Sequence, residues 1–138
     1  MSTFIHALLL VAGIASATEK EAENALRTKI WDGYAQGWSV RTATSVSLGL
    51  GEHRVYLVTL YAGNDYRVLA TGDANVANID IVLYDAEGKQ VVTDVSNDRE
   101  PKVDFRPGQT GTYYVAVHAS KLLDANQKAG VATAVTYK

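Results

Sequence analysis

Five oxygen-bearing side chains near the middle of the chain are the residues best suited to holding a cation. They are Asp73, Asn75, Asn78, Asp80 and Asp98. We expect the first four in one loop with Asp98 nearby, and carboxylate and amide oxygens are ligands that Ca²⁺ prefers. Asp and Asn are also common in turns, because their side chains hydrogen-bond the local backbone. Turn formation is the more frequent use, so calcium is a candidate cofactor and no cofactor is certain.

A second set of chemically useful side chains is aromatic. Strand alternation places Tyr84, Tyr114 and His118 on outward-facing positions. Exposed rings can stack on sugars or anchor a protein partner, since they combine a rigid apolar body with a polar tip. The same residue types also favour ordinary cross-strand packing. These three residues are therefore candidate ligand-binding residues, with cross-strand packing as the alternative.

Catalytic chemistry has little support in the sequence. The chain has no cysteine, which excludes thiol nucleophiles and zinc ribbons. It has no G-x-S-x-G, H-E-x-x-H or P-loop pattern, and His53 and His118 are the only histidines beyond the N-terminal segment. We therefore predict that the protein is not an enzyme. Nucleic acid is excluded as a partner, because 13 basic residues against 15 acidic ones give a net charge of -2.

The N-terminal segment predicts export. Residues 8–14 are uncharged and apolar, and the small residues Ala15, Ser16 and Ala17 follow them. This order is typical of a secretory signal peptide, so we predict a signal peptide over residues 1–17 and a periplasmic or secreted protein. The apolar run is too short to span a membrane. No Lys or Arg precedes it, which leaves a buried first helix or strand as the alternative.

One helix is predicted before the strands, over residues 19–37. Thr18 and Glu21 resemble a capping box, and an apolar stripe recurs every four residues at Leu26, Ile30, Tyr34 and Trp38. The strand predicted over 54–62 is apolar on both faces, so it should be covered on both. We expect the helix stripe to cover its outer face, and truncation of Trp38 to Ala to cost about 3 to 5 kcal/mol.

From residue 39 onward the apolar pattern alternates. It predicts strands over 40–50, 54–62, 66–71, 79–85, 90–95, 102–105, 112–119 and 131–137. Turn residues such as Gly63-Asn64 and Pro107-Gly108 separate them. Eight short strands favour a mainly β fold, a jelly-roll-like antiparallel β-sandwich, in a single domain over residues 18–138. Tyr113 at the start of one strand resembles a tyrosine corner.

The middle of the chain resembles a known family. The segments that carry the resemblance are Gly63-Asn64-Asp65-Tyr66, Gly72-Asp73, residues 79–88, Asp98 and residues 110–117. Together they resemble the bacterial pre-peptidase C-terminal domains over about residues 48–119. The resemblance implies a small jelly-roll sandwich of the kind attached to secreted proteases, some relatives of which bind calcium, collagen or polysaccharide. This sequence differs in having a helix, not an enzyme, before the strands.

These observations leave two functional hypotheses. The first is an exported binding or accessory domain for glycan or matrix, which would use the tyrosine face or a calcium-supported loop. The second is a structural or protein-interaction domain of the cell envelope that binds a protein through a sheet edge or the helix. Inhibition of an exported hydrolase is a third idea, and it rests on size and compartment. The sequence does not predict the oligomeric state.

Overall fold

The computed structural model describes residues 17–138, which form one helix and eight strands. The helix α1 spans Ala17–Ala35. The strands are β1 (Ser39–Leu48), β2 (His53–Leu60), β3 (Tyr66–Gly72), β4 (Val76–Tyr84), β5 (Gln90–Asp94), β6 (Lys102–Phe105), β7 (Gly111–Leu122) and β8 (Ala129–Tyr137). Each predicted strand is present, and the largest differences are the earlier start of β4 and the later end of β7. The predicted signal peptide lies outside the described residues apart from Ala17, at which α1 begins.

The strands form two four-stranded antiparallel sheets. Sheet A has the order β1-β8-β3-β6, and sheet B has the order β2-β7-β4-β5. Except for β4 and β5, which are both in sheet B, each strand is followed by a strand of the other sheet, so the chain winds as a double-sheet jelly roll. The predicted fold class, a jelly-roll-like β-sandwich with one N-terminal helix, is confirmed. No helix within residues 17–138 is long and apolar enough to cross a bilayer.

The core lies between the two sheets and is built from the inward-facing residues of every strand. Alternation along β4 puts Ile79, Ile81 and Leu83 into this core, where each is fully buried. Tyr113 is buried at the start of β7, and its hydroxyl donates to the Gln109 carbonyl over 3.4 Å. The bond to a carbonyl four residues upstream has the form of a tyrosine corner, as the sequence indicates.

The helix covers the outer face of sheet A, not that of sheet B. Ala22, Leu26 and Ile30 are buried against Ala132 and Ala134 of the central strand β8. The expectation that α1 packs over β2 is therefore wrong. The helix lies on sheet A because the small side chains on the outer face of β8 leave the space that a helix needs.

The last two residues of the apolar stripe, Tyr34 and Trp38, differ in burial. Tyr34 is largely exposed, whereas Trp38, which follows the helix, is buried with 7% of its surface exposed. The Arg67 guanidinium carbon lies 4.5 Å from the centre of the Trp38 ring, and the Lys138 ammonium lies 5.0 Å from it. Both distances fit cation–π contacts. Trp38 thus attaches the end of the helix to β3 and to the C-terminus.

Candidate functional site

The outer face of sheet B brings the predicted aromatic residues together. In the register of the sheet, Leu57 of β2 lies opposite Tyr114 of β7, which lies opposite Tyr84 of β4. The next row along the strands is Val55, Ala116 and Val82. Because directly opposed residues have neighbouring side chains on the same face, these six residues form one apolar patch across three strands. We call it the sheet B patch.

The sheet B patch is uncovered on its β2 side. Leu57 is 68% exposed and Val55 is 55% exposed, whereas Ala116 is buried and Tyr84 and Tyr114 are half-buried. Scattered exposed apolar residues are normal, but a contiguous exposed patch commonly marks an interaction site. Sequence reasoning missed Val55 and Leu57 because it expected the helix to cover them.

A polar row borders the patch at one end. His53, His118 and Asp80 lie opposite one another on β2, β7 and β4. The two imidazole rings are stacked with their centres 4.0 Å apart and 7° between their planes. His118 Nδ1 lies 3.8 Å from an Asp80 carboxylate oxygen. Burial and the neighbouring His53 lower the pKa of His118, while the Asp80 carboxylate acts in the opposite direction, so the neutral ring is favoured at neutral pH.

The candidate metal residues do not lie in one loop. Asn78 and Asp80 are within β4, because that strand begins at Val76. Only Asp73 and Asn75 lie in the turn between β3 and β4. The expectation of four oxygen-bearing side chains in one loop is therefore wrong, because β4 pairs with the long strand β7 from Val76 onward.

Asp73 and Asn75 make hydrogen bonds that hold the chain together at this turn. The buried Asp73 carboxylate accepts from the backbone N–H groups of Asn75 and Gly130, both over 2.9 Å. The Asn75 amide donates to the carbonyls of Asp124 and Gln127 and accepts from the Asp124 N–H. Asp73 thus connects the β3–β4 turn to the start of β8, and Asn75 connects it to the loop between β7 and β8.

The other three candidates are likewise engaged in local hydrogen bonds. The Asn78 amide donates to the Ser120 hydroxyl over 2.7 Å and to the Asp80 carboxylate over 3.3 Å. Its carbonyl oxygen accepts from the Asp98 N–H, and the Asp98 carboxylate accepts from the Glu100 N–H. Within residues 17–138, no three His, Cys, Asp or Glu side chains are placed to hold a metal ion. These bonds favour turn and loop formation, and calcium binding by the five residues stays a prediction.

A groove of about 260 Å³ lies between α1 and the β3–β6 end of sheet A. Three of the charged side chains that line it, Lys29, Arg67 and Glu100, are already in ion pairs. Lys29 Nζ lies 3.1 Å from Glu100, and Arg67 makes a two-point bond to Asp104 at 2.6 and 2.9 Å. A ligand in this groove would have to compete with these ion pairs, so the sheet B patch is the better candidate site.

Comparison with known proteins supports the fold of the chain. The structure is similar to the pre-peptidase C-terminal domain of a collagenase from Bacillus anthracis, with a TM-score of 0.53 and 16% identity over 70% of this chain and 89% of that one. It is also similar to PliG of Aeromonas hydrophila, a periplasmic inhibitor of g-type lysozyme, with a TM-score of 0.51 and 12% identity over 75% of this chain and 90% of that one. The sequence matches no family model and no curated protein.

The chain has the fold of a pre-peptidase C-terminal domain. The resemblance stated from the sequence is confirmed for the fold. The two similar structures differ in role, one being a domain of a collagenase and the other an inhibitor. The fold alone therefore does not decide the function, which has to be argued from the surface of this chain.

Proposed function

We propose that this protein is an exported, non-catalytic domain that binds another protein through the sheet B patch. The observation that carries the proposal is the exposure of Leu57 and Val55 on the edge strand β2, next to the aromatic residues of the same sheet face. Burying such side chains in a complex stabilises it by about 25 cal/mol per Å² of apolar surface removed from water. The half-buried Tyr84 and Tyr114 beside them are of the type that dominates protein interfaces.

The character of the patch favours a protein over a glycan. Sugar binding relies on well exposed aromatic rings with polar groups around them. Here the most exposed side chains are aliphatic, and the polar groups His53, His118 and Asp80 lie in one row at the end of the patch. Exposed apolar side chains with a polar border are the usual composition of a protein interface.

An exported hydrolase is the class of partner that we propose to test first. The support is the similarity to PliG, a periplasmic inhibitor of g-type lysozyme. The test measures whether the purified protein slows cell-wall lysis by g-type lysozyme and by other wall hydrolases, and whether it binds them. We expect Leu57→Asp to weaken binding about thirtyfold, the effect of losing one interface residue worth about 2 kcal/mol.

A matched leucine supplies the control. Leu123 is 75% exposed and lies in the loop between β7 and β8, away from the patch. Leu123→Asp should therefore bind like the wild type. Equal loss in both variants would mean a nonspecific effect of charge, and unchanged binding in Leu57→Asp would place the interface elsewhere.

Glycan binding with calcium support is the second candidate, and it has its own test. Co-sedimentation with insoluble polysaccharide that is lost in Tyr114→Ala would favour it over the protein partner. A thermal melt in EDTA and then in calcium tests the metal, because binding to the native state raises the midpoint. A rise that disappears in Asp80→Ala would establish a calcium site. We expect no shift, because the candidate oxygens already accept hydrogen bonds.

A further inference from the structure

The four edge strands of the sandwich differ in how they are protected from pairing with other strands. Natural edges are blunted by bulges, short length and charged residues. Among the described strands, β1 has a register shift between Val40 and Thr42. The strand β5 is only five residues long, and its pairing with β4 has a register shift between Leu83 and Tyr84 of β4. The edge strand β6 has four residues, of which Lys102 and Asp104 are charged. Each of these three edges therefore carries at least one protective feature.

The β2 edge is the least protected of the four. It runs for eight residues, and its register with β7 is unbroken from His53 to Leu60. Its sequence contains no proline and one residue that is always charged, Arg54 at the second position. A long edge with an exposed apolar side, formed here by Val55 and Leu57, is a template for an added strand.

The hydrogen-bonding groups on this edge can be assigned from the register. Ala119 N–H donates to the Glu52 carbonyl over 3.3 Å, so the backbone of Glu52 faces β7. Backbone groups point alternately to the two sides of a strand. The N–H and C=O groups that point away from β7 thus belong to alternate residues, namely His53, Val55, Leu57 and Thr59.

We propose that β2 pairs antiparallel with β2 of a second copy of this chain, across a two-fold axis at Tyr56. In this register His53 lies opposite Thr59 of the second copy, and Val55 lies opposite Leu57 of the second copy. Each of the four residues whose backbone N–H and C=O groups point away from β7 then lies opposite a residue whose backbone groups point towards it. Along β2 these four residues are polar, apolar, apolar and polar, so their order is the same when read in either direction.

The charges of β2 suit a second copy. The two basic side chains of β2, His53 and Arg54, are both at the start of the strand, and the residue at the axis, Tyr56, is uncharged at neutral pH. Antiparallel pairing places the two Arg54 residues at opposite ends, where each lies across from Val58 of the other copy. Like charges directly opposite would destabilise the pair, and this register avoids them.

Pairing would join the two B sheets into one sheet of eight strands. The row of Val82, Ala116 and Val55 in one copy would continue into Leu57, Tyr114 and Tyr84 of the other. Val55 and Leu57, the most exposed members of the sheet B patch, would then lie side by side across the axis. Closed two-fold assemblies of this type are the commonest homo-oligomers.

Sedimentation of the purified protein over a range of concentrations tests the proposal. We expect a monomer–dimer equilibrium in the wild type and a monomer in Leu57→Lys, because the two-fold axis introduces each new charge twice. The matched control Leu123→Lys, on an equally exposed leucine away from β2, should dimerise like the wild type. A wild type that stays monomeric up to millimolar concentration, or a Leu57→Lys variant that still dimerises, would overturn the proposal.

Disulfide trapping tests the register, and the cysteine-free chain makes the readout clean. Directly paired residues lie about 5.5 Å apart between Cα atoms, which suits a disulfide, whereas diagonal neighbours lie about 7 to 8 Å apart. A mixture of Val55→Cys and Leu57→Cys proteins should therefore cross-link faster than either variant alone. Faster cross-linking within one variant alone would overturn the register.

The dimer does not depend on the proposed function, and one variant separates them. Thr59→Pro removes an edge N–H but leaves Val55 and Leu57 in place, and proline is tolerated where an edge N–H faces solvent. We expect this variant to be monomeric and still to bind a partner of the sheet B patch. If Thr59→Pro remains as dimeric as the wild type, the edge pairing is wrong, whatever the patch binds.

Discussion

The outer faces of the two sheets show how one sandwich can cover one side and leave the other open. On sheet A the central strand β8 turns Gly130, Ala132 and Ala134 outward, and α1 lies on them. On sheet B the central strand β7 turns larger residues outward, among them Tyr114 and His118. Small residues leave space for a helix, whereas large amphipathic ones present a surface of their own. The difference gives the outer face of sheet A a structural role and leaves the outer face of sheet B as the surface through which we propose that the protein binds.

The largest expected effect is at the end of the covering helix. Trp38→Ala should lower the free energy of unfolding by about 3 to 5 kcal/mol, because it removes a buried ring from beneath Arg67 and Lys138. Urea denaturation measures the change. Trp31→Ala is the matched control, since that ring is 64% exposed and should cost far less. Equal losses in the two variants would contradict the anchoring role of Trp38.

A pair of leucines compares the two faces directly. Leu26 of α1 is fully buried against sheet A, and Leu57 of β2 is exposed on sheet B. Leu26→Ala should lower the free energy of unfolding by about 2 to 5 kcal/mol, whereas Leu57→Ala should change it by less than about 0.5 kcal/mol. If Leu57→Ala destabilised the monomer as much as Leu26→Ala, the sheet B patch would be part of the core.

Most of the fold could be predicted from the sequence because its signals are local. Alternating apolar residues mark each strand, and turn residues such as Gly63 and Gly88, both with positive φ, separate them. The stripe on α1 likewise identifies a helix with one buried face. The number of strands and the family resemblance both favoured a jelly roll, which the order of the strands in both sheets confirms.

The position of the helix could not be predicted from such local signals. The strand β2 is apolar on both faces, which predicted that α1 packs on its outer face. That prediction failed because the sequence does not distinguish the exposed Val55 and Leu57 from buried residues. The informative signal was elsewhere, in the small residues Gly130, Ala132 and Ala134 on one face of β8. The candidate metal residues were misplaced for a related reason, since the extent of β4 depends on its pairing with β7.

The fit of α1 on sheet A can be tested at Gly130. A Cβ at this position would overlap the backbone carbonyl of Thr18 at the start of the helix. Gly130→Ala should therefore displace the first turn of α1 and lower the free energy of unfolding by about 1 to 3 kcal/mol. Gly108→Ala is the control, because a Cβ there meets no atom within 4 Å. No difference between the two variants in urea denaturation would contradict close packing at Gly130.

A buried carboxyl on the covered face gives a smaller, pH-dependent effect. Glu23 is 1% exposed, accepts a hydrogen bond from the Ser45 hydroxyl through Oε2, and has no partner for Oε1. Burial raises the pKa of Glu23 above 4.5. Its stabilising contribution is therefore present below pH 4.5 and is lost as the pH rises through the raised pKa. The stability of the wild type relative to Glu23→Gln should fall over that interval, and parallel pH curves would contradict it.

The open face should show the opposite pH dependence with the smallest amplitude, because His118 is partly exposed. Burial and His53 lower its pKa below 6.5, so folding favours the neutral ring. Its contribution is present above pH 6.5 and is lost as the pH falls through the lowered pKa. The stability of the wild type relative to His118→Gln should therefore decrease towards acid.

His53→Gln should raise the pKa of His118 in an NMR titration, because it removes a neighbouring positive charge, and an unchanged pKa would mean that the stacked rings do not interact electrostatically.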